Sequence, residues 1–192
     1  MKAFARYWVW MPMLLIAAGA AQADSYGDTI ALFKNAGDSA AFFSRSYAYA
    51  VFPTIGEGGF IVGAARGKGR VYVNGVLVGN TIMNQLSAGF QAGGKAYSQI
   101  IFFEDKRALD EFESGSFEFS AGASAVAVTA GANASAGTTG ATSGASGGEK
   151  DATTKSGGYQ KGVVVFTIAK GGLMYAAALA GQKFSYTPRG QH

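Results

Sequence analysis

The sequence of 192 residues contains no cysteine, only three prolines and a single histidine, His192. The absence of cysteine excludes disulfide bridges, thiolate metal ligands and cysteine nucleophiles. With one histidine, neither a histidine-based catalytic triad nor a multi-histidine metal centre is expected. Charged residues are scarce at 15%, but 48% of the chain is hydrophobic, which argues against disorder over its whole length. We therefore expect a folded, non-enzymatic protein without a metal or cofactor.

The first 23 residues have the pattern of a secretory signal peptide. Lys2 and Arg6 form a positive region, an apolar run extends from Trp8 to Ala20, and Ala21-Gln22-Ala23 matches an A-x-A cleavage site. A membrane anchor is the alternative, but the apolar run is shorter than the roughly 20 residues that a spanning helix needs. The sequence thus predicts export to the periplasm or cell envelope, or release from the cell.

Processing would leave residues 24–192 as one domain. Its 14 basic and 12 acidic residues, after loss of two basic ones, give a charge of +2. Nucleic-acid-binding proteins usually carry a stronger basic excess, so no nucleic acid is expected as a partner.

The patterning of this domain predicts the α+β class, with an antiparallel sheet of sandwich-like or barrel-like form. Two short helices are expected within Asp28–Tyr47, and one mid-chain helix over Asp105–Glu113. Asp105 is the expected N-cap of that helix. The expected buried stripe of the mid-chain helix is Ala108, Leu109 and Phe112.

Strand predictions follow from apolar runs and turn residues. A short strand is expected to end before Pro53, because proline restricts the residue that precedes it. Asn74-Gly75 predicts a two-residue type I′ hairpin, and Ile100–Phe103 a strand buried on both faces. The other expected strands are Phe60–Arg66, Arg70–Val73, Phe117–Val128, Gly162–Ile168 and Leu173–Leu179, the last extending towards Tyr186.

A low-complexity segment separates the last strands from the rest. Between Ser120 and Gly158, 32 of 39 residues are Gly, Ala, Ser or Thr. Such a composition offers too little apolar surface to offset the entropy of ordering it, so residues 132–158 are predicted to form a flexible loop.

Three cations, Arg66, Lys68 and Arg70, alternate with Gly67 and Gly69 in what the sequence predicts to be a hairpin tip. The glycine spacing does not match a phosphate-binding loop, so no nucleotide is expected. A solvated turn is one interpretation. The functional interpretation is contact with anionic phospholipid headgroups, which attract each nearby cation by about 1 kcal/mol. Because such attachment is weak and sensitive to salt, a second membrane-binding element would be needed.

The N-terminal helices offer such an element. Phe33 and Phe42, with Lys34 and Arg45 beside them, could form an amphipathic surface that inserts into a membrane. Packing of these phenylalanines onto the sheet is the alternative. The candidate lipid-binding residues are therefore Arg66, Lys68, Arg70, Lys34, Arg45, Phe33 and Phe42.

Several motifs occur in an order that resembles the SYLF domain family. They are Tyr49-Ala-Val-Phe-Pro53, Gly56-Glu-Gly-Gly-Phe60-Ile-Val-Gly63, Gly67-Lys-Gly-Arg70, Gly89-Phe-Gln-Ala-Gly-Gly94 and Phe166-Thr-Ile-Ala-Lys170-Gly-Gly-Leu-Met-Tyr175. This family is known from eukaryotic phosphoinositide- and actin-binding proteins and from secreted bacterial relatives. The resemblance implies antiparallel β structure with a few helices, and lipid binding rather than catalysis.

These observations lead to one leading hypothesis and one alternative. The leading hypothesis is a secreted or periplasmic protein that associates with anionic phospholipid membranes of the bacterial envelope through a basic hairpin tip. The alternative is a structural protein of the outer envelope, or a small outer-membrane barrel, without specific lipid recognition.

Overall fold

The computed structural model describes residues 17–59, 62–88, 95–117, 119, 126–127, 158–170, 179 and 181–190. These residues form two α-helices, one 3-10 helix and one seven-stranded sheet. Along the chain the elements are α1 (Ala17–Lys34), the 3-10 helix (Gly37–Ser44), β1 (Ala48–Gly59), β2 (Val62–Val73), β3 (Val76–Ala88), β4 (Lys95–Phe103), α2 (Lys106–Glu113), β5 (Val126–Ala127), β6 (Val163–Lys170) and β7 (Gln182–Pro188). The predicted α+β class is confirmed.

The sheet has the strand order β5-β6-β4-β1-β2-β3-β7. Neighbouring strands are antiparallel except for β5 and β6, which are parallel. At the turn between β2 and β3, Asn74 and Gly75 have φ angles of 49° and 80°, which confirms the predicted two-residue hairpin. Among the described residues this is a single open sheet, and not the sandwich-like or closed arrangement that the sequence predicts. Helices, rather than a second sheet, cover its two faces.

Helix α2 covers one face, called here the α2 face. The Asp105 carboxylate accepts a hydrogen bond from the Ala108 amide at 2.8 Å, so the predicted N-cap is confirmed. Leu109 and Phe112 are buried together with Ala108, as the predicted stripe requires. The Phe112 ring lies 4.9 Å from that of Phe184 on β7, which anchors the helix against the core.

The sheet is strongly curved around this core. Gln99 on β4 and Gln182 on β7 are four strand spacings apart, about 19 Å in a flat sheet. Their buried side-chain amides nevertheless donate to each other, at 3.0 Å from Gln99 Nε2 and 3.3 Å from Gln182 Nε2. The curvature therefore brings β4 and β7 together across the α2 face.

Helix α1 and the 3-10 helix cover part of the opposite face, called the α1 face. Phe33 and Phe42 are almost completely buried there. The ring of Phe42 lies 5.2 Å from that of Phe166 and 5.7 Å from that of Phe102. Residues Ile100 to Phe103 are buried on both faces, as predicted, because helices pack on each side of β4.

The N-terminal helices differ from the prediction. Helix α1 has 18 described residues, and the second helix is a 3-10 helix. The Thr29 hydroxyl donates to the Ser25 carbonyl at 2.7 Å, so Thr29 lies inside the helix rather than at its start. Helix α1 includes the predicted cleavage site at Ala21–Ala23, while residues 1–16 lie outside the described residues.

Strand β1 also continues beyond the predicted end. Its pairing register with β2 and β4 shifts between Phe52 and Ile55, which both face the core. Pro53 cannot donate to either neighbouring strand, and the bulge absorbs the interruption. The Ser98 hydroxyl donates to the Pro53 carbonyl at 2.8 Å.

Two predicted segments are tested only in part. In the predicted strand Phe117–Val128, the described part contains only the short β5, and residues 132–157 lie outside the described residues. Residues 173–178 also lie outside them, and the final strand is β7, which overlaps the predicted extension to Tyr186.

We predict that replacing Gln99 by Leu destabilises the protein by about 1–3 kcal/mol, because the buried Gln182 amide loses its partner. The double variant Gln99→Leu/Gln182→Leu should lose less than the sum of the two single variants, since no buried amide is left unpaired. Urea unfolding of the four proteins of this cycle measures the coupling. Additive losses would show that the two amides do not stabilise the curved sheet together.

Candidate functional site

The three predicted cations lie on strand β2 and share the α1 face. Arg66, Lys68 and Arg70 are two residues apart, and successive side chains of a strand point to opposite faces. Arg66 and Lys68 are exposed and Arg70 is half-buried. The predicted hairpin tip is therefore wrong: the residues form a row along a strand in the interior of the sheet.

The intervening glycines explain the error, because they are required by packing and not by a turn. A Cβ atom on Gly67 would lie 2.5 Å from Cγ1 of Ile55, and one on Gly69 would lie 2.6 Å from the Phe52 ring. Both distances are shorter than side chains allow. Glycine thus permits the core to approach β2 on the α2 face, while the cations occupy the opposite face.

The strands beside the cations contribute no negative charge. Arg66 pairs with Gly56 on β1 and Asn84 on β3, and Arg70 pairs with Val51 and Asn80. The Arg66 guanidinium donates to Asn84 Oδ1 at 3.2 Å. Within the described part of the chain, none of the three cations forms an ion pair. Their positive charge is therefore not neutralised by described carboxylates.

A cleft of about 360 Å³ lies where this row meets helix α1 and the β1 bulge. Its lining residues are Ser25, Tyr26, Pro53, Thr54, Arg66, Gly67 and Lys68. The Thr54 hydroxyl accepts a hydrogen bond from Nζ of Lys170 at 2.7 Å, which brings a further cation to the edge of the cleft. The bulge at Pro53 exposes Thr54 at this point.

The aromatic ring of Tyr26 holds Arg70 in place. The Arg70 guanidinium carbon lies 4.2 Å from the ring centroid, a distance typical of a cation–π contact. Burial raises the pKa of Tyr26, and the opposing effect of Arg70 is smaller. The hydroxyl of Tyr26 is therefore neutral at physiological pH and can donate a hydrogen bond to an anion.

The other predicted site residues fall into two groups. Phe33 and Phe42 are in the core, which corrects the prediction that they insert into a membrane: their rings complete the packing between the helices and the sheet. Lys34 and Arg45 are exposed, each over an aromatic ring, Lys34 at 5.4 Å from Phe43 and Arg45 at 4.1 Å from Phe42. They lie on the helical layer that covers the α1 face.

Sequence reasoning missed Lys170, Thr54 and Tyr26. Thr54 and Lys170 are 116 residues apart, and no local pattern links them. Tyr26 lies only three residues after the predicted cleavage site, so that no helical stripe marked it. The sole available signal was its aromatic character, which the sequence shares with many core positions.

Two searches of the described residues gave negative results. No helix there is sufficiently long and apolar to cross a membrane. No group of three or more His, Asp or Glu side chains that could hold a metal ion occurs in the same part of the chain.

We predict that Gly69→Ala destabilises the protein by about 1–3 kcal/mol, because the added methyl group overlaps the Phe52 ring. Gly56→Ala is the matched control, since its Cβ would meet nothing within 4 Å. That variant should stay within about 0.5 kcal/mol of the parent. The midpoints of urea unfolding compare the two, and equal midpoints would contradict the packing role of Gly69.

Comparison with known proteins places this arrangement in a family. The family model described as "Ysc84: Las17-binding protein actin regulator" matches residues 84–187, just over half of the chain. Beta cell expansion factor A of Aeromonas veronii is 29% identical over 157 residues, which cover 81% of this chain and 51% of that protein. The chain thus spans about half the length of this curated relative. The match confirms the resemblance found in the sequence: the chain belongs to the Ysc84 family of SYLF domains.

Proposed function

We propose that this protein binds anionic phospholipid surfaces of the bacterial envelope through the uncovered part of the α1 face. The observation that carries the proposal is the row Arg66, Lys68 and Arg70, which faces outward and has no described carboxylate partner. Membership of a family described as regulators that bind other macromolecules supports a binding role rather than catalysis.

The charge arrangement gives the proposal its expected strength. Each cation near an anionic membrane contributes about 1 kcal/mol, so the row would contribute roughly 3 kcal/mol. Because exposed charges separated by more than about 10 Å are screened at 0.1 M salt, this attachment should weaken as salt increases. A flat row along a strand can bring all three cations to one surface, which a turn with divergent side chains does less well.

Other cations can extend the contact. Lys183 on β7 pairs with Asn84 of β3 and is exposed on the same face. Lys34 and Arg45 lie on the helical layer of that face. We propose them as peripheral contacts. Phe33 and Phe42 support the helices from beneath and do not contact lipid in this proposal.

The proposed location rests on the sequence. The pattern of residues 1–23 supports export, and an exported protein meets the anionic lipids of the envelope. This location favours phospholipid over actin as the partner of the basic row. The alternative of an envelope protein without lipid recognition predicts no dependence of binding on these three cations.

We predict that the variant Arg66→Gln/Lys68→Gln/Arg70→Gln binds anionic vesicles about 100-fold more weakly than the parent, because it loses the row's electrostatic attraction. Co-sedimentation with vesicles of phosphatidylglycerol and phosphatidylcholine measures the loss. Both proteins carry the same N-terminal segment, so any contribution from it is common to them.

A matched control removes the same charge on the other side of the molecule. Lys106 and Arg107 lie on α2, and Lys161 lies close to them, beside Gly162, whose Cβ position is 2.8 Å from the Arg107 side chain. Lys106→Gln/Arg107→Gln/Lys161→Asn breaks only exposed ion pairs, which contribute about 0–1 kcal/mol each. Asparagine suits position 161, where φ is 49°. Equal partition of parent and row variant, or equal losses in row and control variants, would exclude the proposed surface.

A further inference from the structure

We infer that the cleft beside the basic row is a discrete binding pocket for a terminal, dianionic phosphate group. This inference deepens the proposed function and rests on it, since the pocket occupies one end of the same surface. The chemistry could be supplied by the headgroup of a phosphomonoester lipid or by free phosphate. The general attraction of the row does not discriminate between these and ordinary phosphodiester lipids, whereas the pocket should.

The pocket combines cations with hydroxyl groups. Arg66 and Lys68 line it, together with Tyr26 and Thr54, and Lys170 reaches its edge through the Thr54 hydroxyl. Guanidinium, ammonium and hydroxyl groups all donate hydrogen bonds to phosphate oxygens, and those from charged groups are the strongest. The cleft volume of about 360 Å³ exceeds the share of a phosphate with several waters, each of about 30 Å³.

Neutral groups position the cations around the pocket. Asn84 contacts Arg66, the Tyr26 ring supports Arg70, and Thr54 contacts Lys170. A binding anion would therefore displace no described carboxylate from these cations. The side chains are also held in one place before binding, which reduces the entropy lost when they contact a ligand.

The number of donors favours a terminal phosphate over a diester. A terminal phosphate has three free oxygens and a charge of about −1.5 to −2 at pH 7. A diester has two free oxygens and a single charge, so it would leave some of the converging donors without an acceptor. Polar groups left unpaired in a partly buried site reduce affinity, and this difference is the source of the expected selectivity.

The test compares vesicles that differ only in this property. Phosphatidylcholine vesicles containing phosphatidate, a monoester, are matched in surface potential to vesicles containing phosphatidylglycerol, a diester. The parent protein should bind the phosphatidate vesicles about tenfold more tightly, which corresponds to one additional charge-assisted hydrogen bond. A separate titration with inorganic phosphate at pH 8 follows the amide resonances of Thr54 and Gly67.

Two variants distinguish the pocket from the row. Lys170→Gln/Thr54→Val alters exposed side chains at the pocket and should abolish the preference for phosphatidate. Lys183→Gln removes the same charge from the same face away from the pocket and should retain the preference while weakening both vesicle types equally. Thermal unfolding of each variant verifies that the fold is intact.

The outcomes separate the two sources and the two proposals. A preference for phosphatidate that Lys170→Gln/Thr54→Val removes supports a lipid headgroup, and phosphate titration without such a preference supports free phosphate. Equal binding of both vesicle types with no phosphate titration overturns the pocket, while salt-sensitive binding to phosphatidylglycerol still upholds the proposed function. Retention of the preference in both variants also overturns the pocket.

Discussion

The close contact between the backbone of β2 and the core is the constraint on which the rest of the structure depends. Gly67 and Gly69 bring the strand against Ile55 and Phe52, because any larger residue would overlap them. With every second position committed to the core in this way, the positions between them must face the other side. Arg66 and Lys68 occupy those positions, so core packing on one face and positive charge on the other are consequences of one alternation.

The two faces of the sheet differ in how completely they are covered. On the α2 face, curvature brings β7 to β4, and the Gln99–Gln182 pair satisfies the polar groups that this approach buries. On the α1 face, the helical layer packs over β4 and β6 through Phe33 and Phe42 and leaves β2, β3 and β7 uncovered. The free surface is therefore the part of the sheet that the N-terminal helices do not reach.

The irregularity at Pro53 connects this fold to the candidate site. A regular strand would place Phe52 and Ile55 on opposite faces, whereas the bulge lets both enter the core. The same bulge exposes Thr54 beside Arg66 and Lys68, where it contacts Lys170. A backbone feature that seems to interrupt the sheet thus contributes a hydroxyl group and, through it, a cation to the cleft.

The sequence by itself determined the features that depend on residues close together in the chain. The Asn74-Gly75 hairpin, the capped helix α2, the fully buried Ile100–Phe103 run and the family resemblance all follow from local patterns, because turn geometry, helix capping and strand periodicity act over a few residues. Tertiary structure alone decided whether Gly67 and Gly69 form a turn or a closely packed strand, since that depends on Phe52 and Ile55 of another strand. It also decided that Phe33 and Phe42 are buried, and that Thr54 and Lys170 meet across 116 residues, because only the folded sheet brings such groups together.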